Sequence, residues 1–224
     1  MKLPNILLST AIAVAVLFIT GCNKNSNGTG NNAVKFQLQT TNRTSILARV
    51  QSGSIQWVSG YGSATEIKFE AKLSGIETER KSQLAQKLDL FSAITTLGNI
   101  TLDPGTYSEV EFKVELNPSG SDAAMELSGQ FTSGGVTTPV VFRVTAPLEL
   151  KNEKNNVVVT DNSTYKAITT IDLSLITKGI TEAMLNSAVK TSGTILISST
   201  INSNIYNILL SNLHDSDEVE FDHD

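Results

Sequence analysis

The chain has 224 residues, with 17 Lys and Arg against 22 Asp and Glu for a net charge of −5, and a single cysteine. A mildly acidic chain without a basic concentration excludes nucleic-acid binding, which needs a clustered cationic surface. One cysteine excludes a disulfide framework, a thiol redox pair and a cysteine-ligated zinc site.

The chain opens on Lys2 and an apolar run from Ile6 to Ile19, broken only by Ser9 and Thr10. That run suits a signal peptide and is short of the roughly 20 apolar residues that span a membrane. Ile19-Thr20-Gly21-Cys22 follows directly and resembles the lipobox of bacterial lipoproteins. The resemblance implies removal of residues 1–21. Small residues fit the peptidase subsite, the Cys22 thiol takes a diacylglycerol, and cleavage frees its amine for a further acyl chain. Two or three chains anchor stably where one is reversible. Asn23 stands next, with no aspartate to suggest inner-membrane retention, so the expected address is the outer membrane with the leaflet left open. Residues 22–32, mostly Asn, Gly, Ser and Thr after the cysteine, have no apolar surface to bury and read as a flexible tether. Fully extended, it reaches roughly 30 Å.

Residues 33–213 read as one β-rich domain. Its clearest strand is 65–73, where Ile67, Phe69, Ala71 and Leu73 alternate with Glu66, Lys68, Glu70 and Lys72. A second, 107–116, alternates Val110, Phe112, Val114 and Leu116 with Glu109, Glu111, Lys113 and Glu115. Both are expected to be half-buried strands with one wet face. Further candidates are 34–38, 46–50, 55–58, 125–131, 140–150, 157–160, 168–175 and 194–198. Residues 81–91 fit a helix through Leu84, Leu88 and Phe91, or a strand through Leu88 and Leu90. Asp103-Pro104-Gly105-Thr106 has the chemistry of a type II turn. Short strands between such turns predict an antiparallel β-sandwich, with one or two short C-terminal helices. Ile180, Met184, Leu185 and Val189 mark one helix. Ser203 or Asn204 would cap a second, with Ile205, Ile208, Leu209 and Leu213 as its stripe. Residues 214–224 carry six acids and no Lys or Arg, and read as a solvated, disordered tail.

Three segments occur in order: Lys87-Leu-Asp-Leu-Phe91, Ile100-Thr-Leu-Asp-Pro-Gly-Thr-Tyr-Ser-Glu-Val-Glu-Phe112 and Thr170-Ile-Asp-Leu-Ser174. Together they resemble an uncharacterised, Bacteroidota-like family of bacterial lipoproteins with transthyretin-like or immunoglobulin-like β-sandwich domains. In that family a Leu-Asp-Leu strand leads to a Leu-Pro-(small)-Gly-Thr-Tyr hairpin. Asp103 departs from the pattern, which covers about half the chain. The resemblance implies a fold and an envelope address. It carries over no active site.

Catalytic chemistry has little to draw on. Both histidines, His214 and His223, lie in the tail, so the body holds no Ser-His-Asp triad or histidine base. Glu109, Glu111 and Glu115 share a strand face and suit either a glycosidase-type cleft or, with Lys113 among them, an ordinary wet face. The tail acids are hard oxygen donors, but Val219 and Glu220 stand where an EF-hand loop wants an acid and a glycine. Trp57 and Tyr61, with Gly60 and Gly62 beside them, suit a sugar-stacking platform; a Trp sharing a face with Ile55 equally suits a core. No cofactor and no metal site are expected. The expectation is a lipid-anchored envelope protein serving as a non-enzymatic binding or structural module, with the membrane as one partner and a glycan or a protein as the other. The alternatives are a subunit of a glycan-processing system, or an assembly or adhesion subunit that works by strand addition.

Overall fold

A computed structural model describes residues 32–41, 53–215 and 217–223. Cys22, the lipobox, the expected tether up to residue 31 and the 46–50 candidate strand lie outside these residues, while Asn32, the last residue of the expected tether, is buried. The chain is a mainly β, two-sheet sandwich with short helices. Its strands are β1 (Ala33–Thr41), β2 (Ile55–Leu73), β3 (Ile76–Asp89), β4 (Thr95–Thr101), β5 (Gly105–Leu116) and β6 (Met125–Ser133). They continue with β7 (Val136–Val144), β8 (Leu148–Val159), β9 (Tyr165–Asp172), β10 (Lys190–Thr191), β11 (Thr194–Ile197) and β12 (Asp217–His223). The helices are α1 (Leu173–Ile176), α2 (Glu182–Asn186) and α3 (Ser203–Asp215).

β2 is the spine. Its 19 residues span roughly 60 Å at about 3.3 Å each. The 55–58 and 65–73 stretches are thus one strand, and two β-bulges within it explain why they read as two. Register shifts between Trp57 and Ser59 and between Ala64 and Glu66 each invert which residues face the core. Ile55 and Trp57 face inward, then Gly62 and Ala64, then Ile67, Phe69 and Ala71. β5 and β6 pair in succession along one edge of β2. They meet at Ser63, whose N–H donates to the Ala124 carbonyl (2.8 Å) and whose carbonyl accepts from the Asn117 N–H (2.9 Å). β3 takes the other edge, and β8 and β7 pair outside β5 and β6.

Two covers lie over this large sheet. The small sheet, in the order β12-β9-β1-β4, packs on the β5 half. There Phe112 meets Phe36 (5.1 Å between centroids), Phe69 (5.3 Å) and Phe221 (5.8 Å). α3 covers the β6 half, with its Tyr206 ring 5.7 Å from Phe142. The buried residues of both halves form a single core. Two pairs, β1 with β9 and β11 with β7, are parallel, so the sandwich is not wholly antiparallel. Just before β1, Asn32 is fully buried; its carbonyl accepts from Leu102 N–H (3.0 Å) and its Oδ1 from Ser163 N–H (3.2 Å).

Three hairpins turn on two residues with positive φ, as type I′ turns require: Ser74 and Gly75, Gly134 and Gly135, and Ser192 and Gly193. At Gly135 (φ 80°) a Cβ would meet nothing within 4 Å, so the glycine is required by backbone conformation alone. Gly135→Val is expected to lower stability by about 1–2 kcal/mol, measured by urea unfolding. Gly105 takes φ 155° and already belongs to β5, so the 103–106 turn departs from the expected type II geometry.

Of the two readings of residues 81–91 the strand is the one found, in β3 and the turn after it. Four other expectations are corrected. The 168–175 strand stops at Asp172, whose side chain accepts from the Ser174 N–H (2.8 Å) and N-caps α1. The 140–150 strand is broken at 145–147, just before β8. The acidic tail is not a loose end: Asp217–His223 form β12, antiparallel to β9, with Phe221 stacked on Tyr165 at 5.1 Å. One aromatic ring reaching the core outweighs a composition that reads as solvated. The helix expected over 180–189 is shorter, spanning α2 with Thr181 as its cap, and Val189 is 63% exposed.

Candidate functional site

The carboxylates of β5 lie on a charged outer face whose order is set by strand register. Lys81, Lys68, Lys113 and Lys151 stand opposite one another across β3, β2, β5 and β8. A row of Glu79, Glu70, Glu111 and Glu153 runs beside them, and Glu66, Glu115 and Glu149 align on the other side. Like charges thus face each other directly, which is unfavourable, and the attraction runs between neighbouring rows. Lys68 meets Glu115 at 3.0 Å and Lys113 meets Glu70 at 3.2 Å, while Lys113 and Lys151 both close on Glu111. Burial pushes the Glu111 carboxyl up, but hydrogen bonds and charge from Lys113 and Lys151 outweigh it and hold it below its ordinary value. A glycosidase-type general acid needs the opposite, a raised pKa. Glu109 pairs with Lys72 at 3.1 Å. These acids sit in a paired lattice across four strands.

The aromatic platform does not assemble. Trp57 is 2% exposed, its ring 6.5 Å from Phe142. The bulge after it turns Tyr61 to the other face, where Lys87 Nζ sits 3.9 Å from the ring centroid and the hydroxyl accepts from Ala123 N–H (3.3 Å). Gly60 makes no space for a ligand: a Cβ there would lie 2.5 Å from Leu127 and 2.9 Å from the Glu126 carbonyl. Trp57 emission is expected to be blue-shifted, resistant to acrylamide quenching and unchanged by added glycans. A solvent-exposed spectrum would reverse the assignment to the core.

The structure instead opens a groove where the outer edge of the large sheet meets that of the small one. About 550 Å³ lies between β8 and β12, lined by Lys154, Asn156, Val157, Val158, Thr160, Tyr165 and Phe221. Its origin is local. Asn156 takes φ 58°, and the facing pattern of β8 inverts there: Leu148, Leu150 and Asn152 are buried before it, Val157 and Val159 after it. The stacked Tyr165 and Phe221 rings, 19° apart in plane, form the aromatic side. The Tyr165 hydroxyl is engaged by Thr160, accepting from its N–H at 2.7 Å and lying 3.0 Å from its Oγ1. Lys154 lies opposite inward-facing Val110 and has no hydrogen-bond or ion-pair partner among the described residues. A concave, mostly apolar site of this volume with a few polar groups is what small-ligand sites share.

Sequence reasoning missed this groove. Its two walls are separated by more than sixty residues, and one belongs to the tail dismissed on charge. The alternation of Val219 and Phe221 with acids was the one available signal. Compared with protein-family models, curated proteins and solved structures, the chain has no match. What fold and site define together is a two-sheet β protein with a lateral apolar groove between β8 and β12.

Proposed function

We propose that this chain is a lipid-anchored protein of the bacterial outer membrane that acts by binding rather than catalysis, with the groove between β8 and β12 as its ligand site. The groove carries the reading: it pairs an apolar, aromatic lining with one unpartnered ammonium group, a combination suited to holding a ligand. The lipobox and Cys22 support the anchor, and the tether joins the domain at buried Asn32. The glycan-processing alternative loses support because Glu111, the most buried carboxylate of the β5 face, is paired and has a lowered pKa. Assembly by strand addition loses support because the free edges of β3 and β8 carry Glu77, Glu79, Arg80, Lys81, Glu149, Lys151, Glu153 and Lys154, which discourage strand pairing.

Wild type and Cys22→Ala, expressed in a bacterial host and fractionated, test the address. Membrane retention that depends on Cys22 is expected. Wild type recovered as soluble protein would overturn the anchor, and protease treatment of intact cells assigns the leaflet.

A further inference from the structure

We infer that the groove between β8 and β12 binds a single-chain fatty carboxylate, with the acyl chain along the apolar lining and the carboxylate on Lys154. This deepens the binding reading above and rests on it. Three observations converge. The lining is aliphatic and aromatic, with Val157, Val158, Tyr165 and Phe221 supplying most of it. Val158 is 55% exposed, an apolar surface left in water unless something covers it. The β8 side of the lining runs from Lys154 to Thr160, so the ammonium group stands at one end of the apolar residues rather than among them.

Charge selects the head group. Lys154 Nζ is the one basic group lining the groove, and it has no acidic partner among the described residues. The other lysines of the outer face, by contrast, sit among acids: Lys68, Lys72, Lys81, Lys113 and Lys151 are all in ion pairs. A lone ammonium at the start of an apolar groove matches one carboxylate, through a charge-assisted contact. A sugar would instead require several directed hydrogen-bond groups, and here the Tyr165 hydroxyl is already taken by Thr160.

Position supplies the third argument. Thr160 and Tyr165 flank Ser163, whose N–H holds Asn32, the residue through which the chain leaves for its anchor. The groove therefore lies at the tether end of the domain, within reach of the lipid surface that the anchor would engage.

The test uses the full chain in native membranes, photolabelled with a diazirine analogue of palmitate, with recovery from both membrane and soluble fractions. Labels are expected within residues 154–160 and near Phe221. Palmitate should compete with them and hexadecanol should compete far less. Lys154→Glu and Val158→Asp, both at exposed positions, should each cut labelling about tenfold, the worth of one charged or apolar contact. Absence of groove labelling, or labelling that ignores both substitutions, would overturn the proposal. Equal competition by hexadecanol would overturn the carboxylate while leaving the groove as a binding site. Groove labelling on a chain found in the soluble fraction would support the fatty-acid site and refute the anchor, so the two failures are distinguishable.

Discussion

Phe112→Ala is expected to cost about 3–5 kcal/mol, a large share of the stability of a domain this size. Phe112 is 1% exposed and touches three rings, each on a different strand: Phe36 on β1, Phe69 on β2 and Phe221 on β12. Its removal opens a void between the two sheets that neither backbone can close. The urea midpoint should fall without a change in slope. Trp57 fluorescence reports on the other half of the large sheet, and it should shift together with far-ultraviolet circular dichroism. β2 runs through both halves and the core beneath is continuous, so one transition is expected. If Trp57 kept its original midpoint, the halves would be independent units.

The second large effect lies on the charged face. Glu111→Ala removes an 8% exposed carboxylate held by Lys113 and Lys151. Lys113 retains Glu70, and Lys151 is half in water, so the expected loss is about 1.5–3 kcal/mol, less than for an isolated buried pair. The pH dependence has a definite sign. Glu111 is held below its ordinary value near 4.5, so the unfolded chain binds more protons in that range. Its stabilisation is complete above about pH 4.5 and is lost as the pH falls through the folded value. The Lys113 ammonium is raised well above its ordinary value of 10.5, first by its hydrogen bond to Glu111 and against the effect of burial. Its contribution is complete below that value and fades only in strong base. Urea unfolding between pH 3 and 7 should therefore show an acid limb that Glu111→Gln flattens. An unchanged limb would mean that other carboxylates, such as Glu79 beside Lys81, dominate it.

The parts of this structure legible in the sequence are those with undisturbed alternation. Residues 65–73 and 107–116 lie in β2 and β5 as their two-residue period implies, and the stripe of Ile205, Leu209 and Leu213 is the buried face of α3. The Leu-Asp-Leu and Asp-Leu pairs also have physical meaning. Asp89 accepts from Phe91 N–H (2.8 Å) at the turn after β3, and Asp172 caps α1. What escaped was set by partners distant in the chain. The run 59–63 has turn composition, yet it stays extended because β6, β5 and β3 hold its backbone on both edges. β3 has hardly any buried residues, and no apolar period announces a strand whose support is almost entirely hydrogen bonding to β2. Asn202 is another case: its side chain bonds to Val189 and Leu196, fixing the start of α3 through contacts no local pattern signals. The groove combines both difficulties, since an inversion at Asn156 and a charged tail strand make its walls.

β1 sits inside the small sheet, hydrogen-bonded to β4 on one side and β9 on the other, and it begins at Ala33. A pull applied at Ala33, as the proposed anchor would apply it, runs along the axis of β1 and across its hydrogen bonds. Under that load the bonds on both flanks are sheared together instead of being peeled one by one. A strand held on both sides in this way resists tension at its end far better than the outer strand of an edge hairpin would, so the two sheets would stay together under a load that reached them through β1.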